Sequence, residues 1–159
     1  MSAIQPIRMK FFFPIVVLLI FFSCSKEPEK PGPASSGEIS QIILSYIGGN
    51  HGSYTIIKVS PDSIHVEKGN TTDKSHTENN IAISEASWQQ LIKPIDIRAL
   101  NKIRSSPSRQ SVDRTDETFQ VKTRNKVHVY VNAYTDTLHY RQLENFKIQL
   151  EKILPKDHH

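Results

Sequence analysis

The feature that most restricts folding is the change in composition at residue 24, where an apolar run ends and a charged, proline-rich segment begins. Residues 11–22 are almost wholly apolar and are interrupted only by Pro14. This run is shorter than the roughly 20 residues that a membrane-spanning helix needs. The next segment, SKEPEKPGPASSG at residues 25–37, has three prolines and two glycines and cannot build a core. We therefore expect the folded part at residues 38–155, followed by a disordered tail at 156–159.

Residues 1–23 have the pattern of an export signal. Arg8 and Lys10 supply positive charges before the apolar run. Met9 is an alternative start of translation, because Met9 and Lys10 followed by that run already make a complete signal. A permanent membrane span is the other interpretation of this segment, although polar sequence begins directly after Cys24.

The single cysteine, Cys24, lies where this signal ends. One cysteine cannot form an intramolecular disulfide in an exported chain, so it needs another role. The sequence FFSC at residues 21–24 resembles the lipobox of bacterial lipoproteins, in which the cysteine becomes the first mature residue and carries the lipid. The resemblance implies membrane anchoring through lipid on Cys24, and stable anchoring takes at least two acyl chains. An ordinary secreted protein with an incidental cysteine is the alternative.

Residues 24–27, CSKE, also resemble the surface-export signals of Bacteroidetes lipoproteins, in which a lysine and acidic residues follow the cysteine. This resemblance implies a lipid-anchored protein of the bacterial outer membrane, facing the periplasm or exposed at the surface. Residues 25–37 are then a semi-rigid tether that holds the domain away from the bilayer.

The net charge argues against a nucleic-acid partner. The whole chain carries +4, and removal of residues 1–23 leaves 18 basic and 16 acidic side chains, a net charge of +2. The remaining charges are mixed along the chain and form no basic stripe, so we expect no nucleic-acid binding.

Alternating apolar residues predict strands on both sides of a helical middle. Residues 39–47, 54–59 and 64–67 are β-rich, with a hairpin turn at 48–52, while residues 69–80 are polar and predict a loop or a weak edge strand. Residues 119–122 and 127–132 form the clearest hairpin. In its second strand, valines alternate with His128, Tyr130 and Asn132, which places His128 on the solvent-facing side.

Helix signals occur in the middle and at the end of the chain. Ser84 is an N-cap, with Ile83 and Trp88 spaced as a hydrophobic staple, and Asp96 can cap a second short helix. A last helix carries an apolar stripe at Leu143, Phe146, Leu150 and Ile153. These elements predict one α+β domain, an antiparallel sheet of about five strands packed against two or three helices.

The order of these segments resembles that of small Bacteroidetes lipoproteins of unknown function. The similarity rests on YTIIKVSPDSIHVEKG at residues 54–69, ISEASWQQLIKPIDI at 83–97 and VHVYVNAY at 127–134, before the last helix. This resemblance implies a location in the bacterial envelope and an α+β fold, but it implies no activity.

The sequence contains no recognisable catalytic motif. The histidines lack the spacing of metal ligands, no serine or threonine lies in a nucleophile motif, and residues 48–52 fit a hairpin better than a phosphate-binding loop. Asp113, Asp116 and Glu117 are close together, but neighbouring arginines favour a solvated loop of mixed charge. We expect no catalytic residue, metal or cofactor.

Two classes of function remain. The preferred one is a noncatalytic lipoprotein that binds an envelope protein or glycan through a loop or a sheet edge, and the alternative is a hydrolase-like envelope enzyme whose residues meet only in three dimensions. The loop at residues 104–117 is longer than a connection requires, which makes it the candidate surface. Within it, Arg109 is the predicted binding residue, and Asp113 is its predicted orienting partner. The alternative is that both side chains are merely solvated.

Overall fold

The computed structural model describes residues 39–49, 52–110 and 114–155, and these residues form the predicted α+β fold. Six strands make one antiparallel sheet, and three α-helices accompany it. The predicted signal, Cys24, the tether and the tail lie outside the described residues. The elements are β1 (Ile39–Gly48), β2 (Ser53–Val59), β3 (Ser63–Asn70), β4 (Ser75–Ala82), α1 (Glu85–Ile92), α2 (Ile97–Leu100), β5 (Thr115–Thr123), β6 (Val127–Val131), a 3-10 helix (Ala133–Thr135) and α3 (Arg141–Ile153).

The spatial order of the strands is β4-β3-β2-β1-β5-β6. The first four strands follow one another as a meander, and the β5–β6 hairpin then joins the free side of β1. Leu44 of β1 is therefore paired with Ile57 on one side and with Phe119 on the other. The earliest strand of the domain becomes a central strand, and β4 and β6 become the edges.

The turn between β1 and β2 depends on glycine. Gly48 and Gly49 have φ values of 128° and 91°, a region that side chains disfavour. A Cβ atom on Gly48 would also lie 2.5 Å from the carbonyl oxygen of Arg114. The close passage of residue 114 beside this turn explains why Gly48 tolerates no side chain.

The core lies on one face of the sheet, which we call the inner face; the opposite face is the outer face. Phe119 of β5 packs edge-on against Phe146 of α3, with ring centres 6.2 Å apart. The apolar stripes of the helices pack in the same cluster as the inward-facing residues of the strands. This cluster includes Ile42, Leu44, Val59, Ile64 and Val121 on the sheet and Trp88, Leu91, Leu143 and Leu150 on the helices.

The predicted helix caps are confirmed. The Ser84 hydroxyl accepts a hydrogen bond from the Ser87 N–H at 3.2 Å, and the Asp96 carboxylate accepts one from the Arg98 N–H at 3.0 Å. Trp88 is buried, as the staple spacing requires. These local signals fix where α1 and α2 begin.

Of the two alternatives for residues 69–80, the structure shows an edge strand. β3 continues to Asn70, and β4 pairs with it from Ser75 to Ala82. Most side chains of β4 are exposed, which is why hydrophobic alternation is absent from its sequence. Polar edge strands also discourage pairing with foreign chains.

The predicted facing of β6 is wrong. His128 and Tyr130 point to the inner face and are buried, whereas Val127 and Val129 are 50% and 52% exposed on the outer face. Burial and the nearby Lys126 charge lower the pKa of His128, and burial raises the pKa of Tyr130 to about 12. The Tyr130 hydroxyl donates to the Leu100 carbonyl oxygen at 2.8 Å, which satisfies it inside the core.

Candidate functional site

The candidate loop begins beside the end of β6 and then crosses the end of the sheet toward β5 and β1. The Ser106 N–H donates to the Val131 carbonyl oxygen at 2.8 Å, and the Val131 N–H donates to the Ser105 hydroxyl at 3.1 Å. The Arg104 N–H donates to the Asp136 carboxylate at 3.0 Å. The start of the loop is therefore held against the end of β6.

Asp116 anchors the middle of the loop. Its Oδ1 accepts hydrogen bonds from the Arg109 N–H and from Asn132 Nδ2, both at 2.7 Å, and its Oδ2 accepts one from the Ser108 hydroxyl at 2.5 Å. Burial opposes ionisation of this carboxyl, but the three hydrogen bonds outweigh it and lower the pKa of Asp116.

The prediction of a solvated acidic loop is wrong for Asp116 and Glu117, which are only 5% and 7% exposed. They begin β5, where successive side chains point to opposite faces of the sheet. The two carboxylates are therefore separated by the strand and do not form a carboxylate pair.

Arg109 packs against the 3-10 helix. Its guanidinium lies 5.6 Å from the centre of the Tyr134 ring, a cation–π distance. Asp113 lies outside the described residues, so its predicted role as partner of Arg109 stays a prediction. The partners that the structure provides for Arg109 are Asp116, at the backbone N–H, and Tyr134, at the side chain.

Sequence reasoning missed Asn132, which links β5, β6 and the loop. This fully buried residue has a φ of 48°, and its side chain donates to the Pro107 carbonyl oxygen and to Asp116. Its Oδ1 accepts from the Glu117 N–H at 3.0 Å. The available signal was an asparagine directly after a strand, because asparagine tolerates this left-handed backbone better than most residues.

Glu117 lies in a second polar cluster, on the inner face. Its carboxylate accepts a hydrogen bond from the Tyr140 hydroxyl at 2.6 Å and from the Lys147 ammonium at 2.7 Å. Tyr46 pairs with Glu117 across β1 and β5. Burial is the largest cause that raises the pKa of both tyrosines, and Glu117 adds to it, so their hydroxyls stay protonated and can donate.

A chain of titratable side chains crosses the outer face at the far end of the sheet. The Tyr54 hydroxyl is 2.8 Å from His76 Nδ1, and His76 Nε2 is 2.9 Å from the Glu78 carboxylate. Gly69 lies between Tyr54 and His76 in the strand register, and a Cβ atom there would collide with the Tyr54 hydroxyl and with the Ser75 carbonyl oxygen. Tyr54 thus reaches across β3 because position 69 has no side chain.

The edge of β6 presents both backbone and apolar side chains. The Asn132 N–H donates to the Glu117 carbonyl oxygen, and the Thr123 N–H donates to that of Lys126, each at 2.8 Å. Because hydrogen-bonded and non-hydrogen-bonded pairs alternate in an antiparallel ladder, Val127 and Val129 point their N–H and C=O groups away from β5. Within the described residues β6 is the last strand on this side.

No known protein family and no curated protein matches the sequence. In the part of the chain that the structure describes, no three His, Cys, Asp or Glu side chains are grouped so that they could hold a metal ion. None of the described helices has both the length and the apolar character needed to cross a membrane.

Proposed function

We propose that the chain is a lipoprotein of the bacterial outer membrane, anchored by lipid on Cys24, and that its folded domain is a noncatalytic binding module. The module contacts an envelope protein, which adds an extended segment to the edge of β6. The lipobox-like sequence supports the anchor, and the edge of β6 supports the mode of binding.

The observation that carries the binding mode is the outward orientation of the β6 valines. Val127 and Val129 are about half exposed although the same strand has two aromatic side chains on its buried face. Their backbone groups point away from the sheet, as the pairing of β5 and β6 requires. Exposed backbone donors and acceptors flanked by apolar side chains are what strand addition uses for affinity and specificity.

The loop beside β6 limits where a partner strand can lie. Ser105 and Ser106 already occupy the outer backbone groups of Val131. An added strand therefore pairs with Val127 and Val129 and ends at the loop. Arg109 lies farther along the same loop, against Asp116 and Tyr134, and we propose that it contacts the end of the partner segment.

Site-specific photocrosslinking in the native envelope tests this proposal. A crosslinker at position 129 should give a discrete protein adduct, whereas one at position 148, on α3, should not, although Ile148 is also 46% exposed. Adducts of the same kind from both positions would contradict the proposal. A glycan partner would give no protein adduct at either position.

A proline variant tests the pairing itself. Val127→Pro in the chain with the crosslinker at 129 removes an outward N–H at the first residue of an edge strand, where proline is tolerated. The adduct should be lost while the urea midpoint stays close to that of the parent chain. Retention of the adduct would show that the partner does not use the β6 backbone.

A hydrolase-like enzyme is the second candidate function, and the chain Tyr54–His76–Glu78 favours it. With Glu78 accepting the Nε2 proton, His76 Nδ1 would accept the proton of the Tyr54 hydroxyl, so that its oxygen could attack an ester. Turnover of p-nitrophenyl acetate by the wild type, lost in Tyr54→Phe and His76→Gln, would support this function. Equal background rates in all three chains would exclude this reaction.

A further inference from the structure

A cleft of about 280 Å³ lies between α3 and the β1–β2 end of the sheet. Its apolar wall is formed by Leu44, Ile57, Leu150 and Leu154. A single water takes up only about 30 Å³ in the liquid, so the cleft has room for a small organic molecule. The cleft therefore suits a ligand with a short apolar body.

The polar groups at the cleft determine which charge such a ligand carries. Lys147 and Glu151 both line it and lie one helical turn apart on α3. The Lys147 ammonium is bound to the buried Glu117 carboxylate at 2.7 Å, so these two charges offset each other. Glu151 is exposed at the rim, and it is the remaining charge among the lining residues of the cleft.

Tyr46 adds a neutral hydroxyl to the same cleft, and this hydroxyl interacts with the Glu117 carboxylate. Burial and the charges of Glu117 and Glu151 all raise its pKa, so its hydroxyl stays protonated. A carboxylate on the ligand would be repelled by Glu151, whereas an ammonium would be attracted by it. Apolar walls with an acidic rim are complementary to an apolar amine.

We propose that this cleft binds a small apolar molecule that carries one ammonium group. The apolar body lies against the leucines and Ile57, and the ammonium pairs with Glu151 at the rim. This site is separate from the β6 edge and does not depend on the function proposed for it.

Methyl NMR of the full chain in lipid nanodiscs tests the proposal, with n-hexylammonium, n-propylammonium, n-hexanol and n-hexanoate as probes. The methyl signals of Ile57 and Leu150 should shift with n-hexylammonium. Affinity should fall about fourfold for each methylene removed, as expected for burial of a methylene. Free probe concentrations are measured with empty nanodiscs, and n-hexanoate should bind more weakly than n-hexanol.

Variants of the lining residues test separately how the charge and the shape of the cleft contribute to affinity. Glu151→Gln should weaken n-hexylammonium about two- to fivefold, the usual size of an exposed ion pair, while Glu144→Gln, an exposed change in the first turn of the same helix, should not. Thr55→Ile enlarges a lining side chain and should weaken all probes alike. The proposal would be overturned if n-hexanoate and n-hexylammonium bound equally well, or if the two glutamate variants had equal effects. It would also be overturned if the Ile57 and Leu150 methyl signals did not shift.

Discussion

Removal of the Asp116 carboxylate should release the middle of the candidate loop from the sheet. Asp116 accepts hydrogen bonds from the Arg109 N–H, the Asn132 amide and the Ser108 hydroxyl. In Asp116→Ala all three donors lose their acceptor. Ser108 is exposed and its hydroxyl can turn to water, but Asn132 is fully buried and Arg109 is half-buried. Two donors are therefore left unsatisfied.

The expected loss of stability follows from these two donors. A buried donor without an acceptor costs about 1 to 3 kcal/mol, so Asp116→Ala should lower the free energy of unfolding by about 2 to 6 kcal/mol. Asp116→Asn can keep an oxygen in the place of Oδ1. It loses the charge and puts an NH2 donor in the place of Oδ2, toward which the exposed Ser108 hydroxyl can turn its oxygen. Since charged acceptors make stronger hydrogen bonds than neutral ones, its cost should be about 1 to 3 kcal/mol.

Urea denaturation at pH 7 measures both values, with Glu144→Gln as a control that removes an exposed carboxylate from α3. The control should change stability by no more than about 0.5 kcal/mol. A loss under about 1 kcal/mol in Asp116→Ala would refute the reasoning, because it would mean that Asp116 does not hold the loop.

The pH dependence gives an independent check. The pKa of Asp116 is lower in the folded chain than in the unfolded chain, so its contribution is fully present above the unfolded pKa of about 3.9. That contribution is lost as the pH falls through the folded pKa. The stability difference between wild type and Asp116→Asn should therefore shrink below about pH 4, and a constant difference would contradict the assignment.

Four further predictions concern other parts of the chain. Trp88→Ala should cost about 3 to 5 kcal/mol in urea titration because the ring is buried in the core, and a loss under about 1 kcal/mol would contradict this. Gly69→Ala should cost about 1 to 3 kcal/mol because its Cβ would collide with the Tyr54 side chain and with the Ser75 carbonyl oxygen, and unchanged stability would contradict the close packing at this position. Arg109→Ala should shift stability by no more than about 1 kcal/mol, the size of an exposed cation–π contact, while reducing the adduct formed at position 129; an intact adduct would remove Arg109 from the binding surface. Cys24→Ala should release the protein from membranes, and an unmodified Cys24 by intact mass spectrometry of membrane-extracted protein would refute lipid anchoring.

Local signals were sufficient for much of the fold. The caps at Ser84 and Asp96 act within one turn of the helix, and the stripe of Leu143, Phe146 and Leu150 needs only helical spacing. A polar loop after α2 was also recognisable, because it lacks any periodic pattern, but its predicted end at residue 117 was wrong, since β5 begins at Thr115. The contacts of this loop could not be recognised from the sequence, because Asn132 approaches Asp116 only after β6 has paired with β5.

The face of β6 that is buried could not be predicted from the sequence. Alternation by two determines that valines lie on one face and His128 and Tyr130 on the other, but it does not determine which face is buried. Hydrophobicity favoured the valines, whereas the structure buries the aromatic side chains because Tyr130 finds the Leu100 carbonyl oxygen as its acceptor.

The sequence by itself determined most of the segments that become strands and helices, because hydrophobic period, caps and glycine turns act over a few residues. It left the polar β4 open between a loop and an edge strand. Only the tertiary structure decided the strand order, the side of β6 that faces solvent, and the separation of Asp116 from Glu117 across β5. These properties depend on the partners that long-range pairing brings to each side chain, and no local pattern specifies those partners.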